Sequence, residues 1–429
     1  MTKKFTRRNM MKTLFGAGGV GLVAAATGLP VSFLRTGRAK ADPGAARFLV
    51  LMANSRGDSF NCNAPGSYGQ DFQVHPGGAE FAPVALRLGE NTAQGARIWE
   101  GLPLALRARA AFVHHATRTI VHPDLPKVLR LQGETQGGIS IPELIARENS
   151  TVLDTVQSNP LPLGNSDTFV VDGAPLPKLK PTALKALLVE DEGAPLARFA
   201  EIRNRNLDRI YAALRDSGNR EQLRFLDNMA QARTEAAMLG ESAGELLADI
   251  QDDSAASQAK AAVALIQLRV APVMGVNFPF SGDNHTDPDF EDEVLEHTEG
   301  IAAIAMLFAE AEAAGVADQM TFATLNVFGR TMRQVANGRS HNPAHSVSLV
   351  ISPDTKGGVY GGVEAGRRDD GAALAFDSTN GTVTESGDVT YDNSLASMGK
   401  TIACAAGVAR EVFDREVLSG VAVGGIFNS

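Results

Sequence analysis

Phe48-Leu49-Val50-Leu51-Met52-Ala53 is an unbroken apolar run, and it is followed at once by Asn54-Ser55-Arg56-Gly57-Asp58-Ser59-Phe60-Asn61. A strand with one wet face would alternate apolar and polar residues. A continuous run bounded by turn residues instead reads as a strand buried on both faces, the habit of a parallel sheet. Four more strand-sized runs recur at Ala111 to Val113, Val270 to Val276, Met320 to Val327 and Val347 to Ile351. Between them, Pro195 to Ser217, Arg220 to Ile250 and Glu291 to Ala314 place apolar residues three and four apart, which is helical spacing. The economical architecture is α/β, with a largely parallel central sheet flanked by helices. Residues 195–268 carry no strand signal before Leu268 and read as a helical insertion packed against the sheet. Residues 357–393 are rich in Gly, Asp, Thr and Ser and predict a surface hairpin at Thr382 to Tyr391, while Leu395 to Phe413 predicts a packed helix. From residue 42 to 429 the chain reads as a single α/β domain.

Upstream of this domain lie Lys3, Lys4 and Thr6-Arg7-Arg8-Asn9-Met10-Met11-Lys12, the order of a twin-arginine export signal. The apolar stretch Leu14 to Leu34 is broken by several glycines and Pro30, and Ala39-Lys40-Ala41 supplies small residues for a signal peptidase. An uncleaved membrane anchor fits these interruptions less well. Residues 1–41 are therefore expected to be a signal peptide, with the twin-arginine translocase as partner during export and the periplasm as destination. This segment holds eight of the 40 Lys and Arg and no acid, leaving 32 basic residues against 49 acidic ones, a formal charge of −17 for the mature chain. So acidic a surface disfavours nucleic acid and anionic lipid as partners. Cys62 and Cys404 lie far apart, and both a disulfide and two separate thiols remain open. Nothing in the sequence sets the oligomeric state.

The polar residues with chemical potential follow the apolar runs. Asp58, Ser59 and Asn61 follow the first; His114, His115 and His122 end or follow the second; Asp283 and His285 follow the third; Arg330 and His341 follow the fourth. In an open α/β sheet the crevice beyond the carboxyl ends of the strands binds ligands, so these loops can converge on one site. Carboxylate and imidazole donors together suit one divalent metal, zinc or manganese. Structural readings compete at several positions. Asp58 beside Gly57 could cap a turn, and Asp283 to Asp289 could cap the acidic helix that follows. His297 reads as a packed or solvated helical residue, and His75 as a loop residue. Asn342 and Pro343 prevent His341 and His345 from forming a helical ligand pair, so at most one of them is a ligand candidate.

Over the whole mature chain, these residues in this order resemble the DUF1501 family of exported bacterial proteins, which is distantly similar to the sulfatase and alkaline-phosphatase superfamily. The motifs that carry the resemblance are Gly57-Asp58-Ser59-Phe60-Asn61, Asp283-Asn284-His285, Val327-Phe328-Gly329-Arg330-Thr331, Gly338-Arg339-Ser340-His341 and Gly357-Gly358-Val359-Tyr360-Gly361. The resemblance implies an alkaline-phosphatase-like fold and a metal held by Asp58, Asp283, His285 and His341. It also implies Ser59 as nucleophile and Arg330 as anion clamp, with Asn61, His122 and Asn326 in the wider pocket. Val327 and Ser340 stand where the family carries acids, which leaves a second ion short of carboxylates. Two function classes follow: a metal-dependent hydrolase of phosphate or sulfate esters with a partly degraded site, or a non-catalytic envelope binding protein on the same scaffold. The ester itself, whether small molecule or polymer, is named by no motif.

Overall fold

The computed structural model describes residues 46–69, 71–164, 169–188, 205, 209, 243–280, 282–365 and 370–428. The expected signal segment 1–41 and most of the expected helical insertion lie outside these residues.

Seven strands form the central sheet: Phe48–Met52 (β1), Ala110–His115 (β2), Leu161–Pro162 (β3), Val273–Val276 (β4), Met320–Thr324 (β5), Ser346–Ile351 (β6) and Gly358–Tyr360 (β7). Their spatial order is β7-β2-β6-β5-β1-β4-β3. β1 pairs in parallel with β4 and β5, β3 with β4, and β7 with β2, whereas β6 runs antiparallel to both β2 and β5. The largely parallel α/β sheet expected from the apolar runs is what the chain forms.

Two-sided burial explains those runs. Phe48, Val50 and Met52 enter one apolar cluster with Phe60, Trp99, Phe112 and Phe322, while Leu49, Leu51 and Ala53 enter another with Leu144, Ile145, Leu395 and Ile402. Successive strand side chains point to opposite faces, so both parities must be apolar when helices cover both. Each such side chain stabilises the fold by about 1.5–3 kcal/mol on burial, and Leu51→Ala would cost about 2–5 kcal/mol with its cavity included.

The covering helices begin where local chemistry tells them to. Ile141–Val152 (α1) is capped by Ser140, whose Oγ accepts from the Glu143 amide while Glu143 returns a bond to the Ser140 amide. Ala255–Gln267 (α2) starts at Ser254, whose side chain accepts from the Ser257 amide. This helix is part of the core, packed on β4 and on Glu291–Ala313 (α3). At the start of α3, Asp287 accepts from the amides of Asp292 and Glu293.

Residues 394–416 form two helices, Ser394–Ala405 (α4) and Arg410–Glu416 (α5), because Gly407 in a left-handed conformation ends the first. The expected hairpin at Thr382 to Tyr391 is replaced by Phe376 bridging to both Val383 and Val389. Cys62 and Cys404 are free thiols. No helix among the described residues is long and apolar enough to cross a membrane.

Candidate metal centre

Loops meet at the carboxyl edge of this sheet because β1, β2, β4 and β5 all end there, while the reversed strand β6 begins there. Four side chains converge on that edge. His122, Asp283, His285 and His341 each offer one ligand atom, and these atoms lie within 4.8 Å of one another. It is the sole such group of three or more among the described residues.

The backbone sets the imidazole tautomers. His122 Nδ1 lies 2.7 Å from the Ser55 carbonyl and His341 Nδ1 lies 2.6 Å from the Ile120 carbonyl. A carbonyl only accepts, so both Nδ1 atoms carry the proton and both Nε2 atoms present a lone pair. This is the arrangement that orients histidines around a metal. His285 Nε2 faces His341 Nε2 at 2.8 Å and lies 3.4 Å from Asp283 Oδ1; His122 Nε2 lies 3.9 Å from Asp283 Oδ2. Donors around one tetrahedral ion, each about 2.0–2.1 Å from it, stand roughly 3.3 Å apart. The observed spacings bracket that value, so small side-chain rotations suffice, and the residues fit one ion.

Burial pushes the His341 imidazole down to about 4, helped by the Arg330 charge, and burial with Arg330 lowers His285 as well. Both rings are neutral near pH 7, the ligating form. Burial opposes ionisation of Asp283, but the Arg330 hydrogen bond and charge outweigh it and hold the carboxyl below its usual range. The Asp283 side chain is 50% exposed, so the centre opens to solvent.

The expected site residues divide between this cluster and its support. His122, expected in the wider pocket, stands among the donors, and Asp58 does not. Asp58 is buried, its Oδ1 accepts from the Phe60 amide at 3.1 Å, and its Oδ2 accepts from Asn326 Nδ2. Asn326 Oδ1 in turn accepts from Asn54 Nδ2 at 2.8 Å, so both side chains are tied into a buried network apart from the donor group. Desolvation holds the Asp58 carboxyl well above its usual range. Gly57 permits this turn, since at φ 76 a Cβ there would sit 2.3 Å from the Phe328 ring.

Ser59 is fully buried and its Oγ has no hydrogen-bond partner, so it lacks both the base and the access a nucleophile needs. Arg330 is also sealed. One of its terminal nitrogens donates to Asp283 Oδ1 at 2.9 Å, the Arg56 carbonyl at 2.7 Å and the Gly282 carbonyl at 3.1 Å, which makes it a positioning residue for Asp283; its Nε has no partner, but the side chain is wholly buried and presents no exposed fork to an anion.

Two buried networks hold these loops. Asn61 Oδ1 accepts from the Arg330 amide at 2.7 Å and Asn61 Nδ2 donates to the Arg330 carbonyl at 2.9 Å. The same Nδ2 meets His345 Nδ1 at 3.2 Å, His345 Nε2 meets His114 Nδ1 at 2.9 Å, and His114 Nε2 reaches the Pro65 carbonyl at 3.1 Å. His345 is thus spent on structure, leaving His341 as the ligand of that pair. In the second network Arg339 donates to both oxygens of Glu293, at 2.6 and 3.0 Å, and Asn63 donates to Glu293 Oε1 at 2.6 Å. His297 is packed here as well, within 3.4 Å of Asn63 Nδ2.

Sequence reasoning missed Glu293, because an acid in the first turn of an acidic helix looks solvated. Its pairing with Arg339 exists only in the fold and left no signal in the sequence. Gly338 is needed beside Arg339, since a Cβ would meet the Asn284 carbonyl at 2.1 Å.

No protein-family model matches the chain, and no curated protein matches it significantly.

Proposed function

We propose that this chain is an exported hydrolase of phosphate or sulfate esters that works through a single divalent ion, zinc before manganese, on an alkaline-phosphatase-like scaffold. The observation that carries the reading is the open cluster of His122, Asp283, His285 and His341, with two Nε2 lone pairs fixed by backbone carbonyls. Three imidazoles and one carboxylate suit zinc better than an all-oxygen set would. The order of the motifs supports the superfamily, and the Thr6 to Lys12 string supports export by the twin-arginine route.

When held by His122, Asp283, His285 and His341, the ion would supply Lewis acidity, and a water that added as a further ligand or displaced one of the four would have its pKa lowered. The chain's own groups do the rest. His122 and His341 are held to one tautomer, and Arg330 keeps Asp283 ionised and aimed at the centre. A dication beside one carboxylate and one guanidinium leaves the centre net cationic, which draws in a phosphate or sulfate head. In hydrolysis, a water oxygen bonds to phosphorus or sulfur, the ester oxygen leaves with the electron pair, and it departs as the alcohol after taking up a proton. With Ser59 sealed, water and no side chain is the attacking group.

The burial of Ser59 and Val327 favours a second reading, a binding protein that holds the ion and an anionic ligand without turnover. Elemental analysis of the purified protein, followed by assay on 4-nitrophenyl phosphate and 4-nitrophenyl sulfate, separates the two. One zinc per chain with metal-dependent release of nitrophenol supports the hydrolase. One zinc with no release supports the binding protein, and the absence of a stoichiometric metal overturns both.

A further inference from the structure

We infer that the ester this centre takes carries an apolar group beside its anionic head; this rests on the hydrolase reading and narrows its substrate class. Ile120 and Val121 are 54% and 47% exposed, although both are β-branched apolar residues. They occupy the loop that builds the centre: the Ile120 carbonyl accepts from His341 Nδ1, and Val121 adjoins His122.

The loop is fastened, so this exposure does not come from a slack segment. The amides of Thr117 and Arg118 donate to the Pro343 carbonyl at 3.1 and 2.9 Å, the Val121 amide donates to Thr119 Oγ1 at 3.2 Å, and Thr119 Oγ1 donates to Asp124 Oδ2 at 2.8 Å. Arg118 accepts a left-handed φ of 60° to make the turn. One further exposed apolar residue lies on the segment that leads to His341. Val335 is 40% exposed on the turn closed by its bonds with Gly338, and that turn packs on the ligand loop through the Arg339 amide, which donates to the Asn284 carbonyl at 2.7 Å.

Single exposed apolar residues need no explanation. Here three of the ten large exposed apolar residues among the described ones lie on two of the three segments that supply the cluster. A hydrophilic ester would gain nothing from them. An alkyl or aryl ester would bury them while its charged head meets the cationic centre, so the surface matches an amphiphile in both chemistry and order.

The test is calorimetric titration of the zinc-loaded full chain with methylphosphonate and with hexylphosphonate, neither of which has an ester bond to hydrolyse. Hexylphosphonate is expected to bind at least about tenfold more tightly, since a tenfold gain needs only about two buried methylenes. Val121→Thr with Val335→Thr, which keeps β-branching, should cut that advantage at least threefold while leaving zinc content and methylphosphonate affinity unchanged. Equal affinities in the parent protein overturn the inference. So does an advantage that survives in the variant, or hexylphosphonate binding that is undiminished without zinc, which would mark a surface for lipid or another apolar partner. Failure of the hydrolase reading looks different: the zinc-loaded chain releases no nitrophenol from either 4-nitrophenyl ester, whichever phosphonate it binds more tightly.

Discussion

The Nε2 atoms of His285 and His341 face each other across 2.8 Å. His341 is bare at that nitrogen because its proton is on Nδ1, committed to the Ile120 carbonyl. Two bare lone pairs do not oppose each other so closely, so either His285 turns an Nε2–H to His341 or one ion takes both lone pairs. A proton on His285 satisfies only this pair and turns an N–H toward Arg330, whose other terminal nitrogen is 3.4 Å away. A divalent ion satisfies both rings and Asp283 together.

Zinc titration should therefore give one ion per chain. Asp283→Ala combined with His285→Ala is expected to abolish binding, and His122→Ala to weaken it by at least about tenfold, as the loss of one ligand from a four-donor set implies. Ser59→Ala should leave binding intact. Calorimetry decides the assignment: a stoichiometry of two, or undiminished affinity in the double variant, removes it.

Asp58→Asn distinguishes a structural carboxyl from a ligand. The new amide would turn an N–H toward Asn326 Nδ2, whose partner oxygen is gone, so a loss of about 1–3 kcal/mol is expected from the unmet donor. Zinc stoichiometry should stay at one. Urea unfolding reads the first quantity and elemental analysis the second; a chain that folds normally yet loses its zinc would return Asp58 to the metal.

Arg339→Leu leaves Glu293 as an uncompensated buried charge. Both side chains are wholly inaccessible, and breaking such a pair from one side costs about 3–5 kcal/mol. Denaturant melts should show this loss. Glu293→Gln with Arg339→Leu should recover part of it, because no bare charge remains; a single variant as stable as the parent would contradict the network.

Acid should weaken the fold through buried histidines outside the metal cluster. Burial holds His114 and His115 down to about 4, and lowers His345 as well. Above pH 6.5, the ordinary imidazole value, neither folded nor unfolded chain takes up these protons, so stability does not vary on their account. Below it the unfolded chain binds protons that the folded chain refuses, and stability falls until about pH 4. The loss by pH 5 is on the order of 2 kcal/mol per histidine. Urea midpoints measured at pH 7 and pH 5 with metal chelated should show it, and His115→Gln should flatten the slope by one proton's share.

Replacing Arg7 and Arg8 with lysines should strand the precursor in the cytoplasm, because lysine cannot reproduce the planar guanidinium fork that the translocase reads. Fractionation and immunoblotting check this; normal periplasmic accumulation of the variant would dismiss the twin-arginine route.

Local chemistry in the sequence was enough for five of the seven strands, the direction of most of the sheet and the edge where polar loops gather, while Leu161–Pro162 and Gly358–Tyr360 are too short to leave an apolar run. Apolar runs without alternation demand cover on both faces, and Phe48 to Ala53 divides between two cores as that demand requires. Asp283, His285 and His341 were legible for the same reason, since each lies in a loop entering or leaving a strand at that edge. Which side chain turns inward from such a loop was decided by partners far away in the chain. Asp58 turned to Asn326 and left the donor set, while His122 was drawn in by the Ser55 carbonyl. Arg330 was closed off by three oxygens from two other loops. A hydrogen bond between residues hundreds of positions apart leaves no trace in local pattern, because its geometry exists only once the sheet has brought the two loops together.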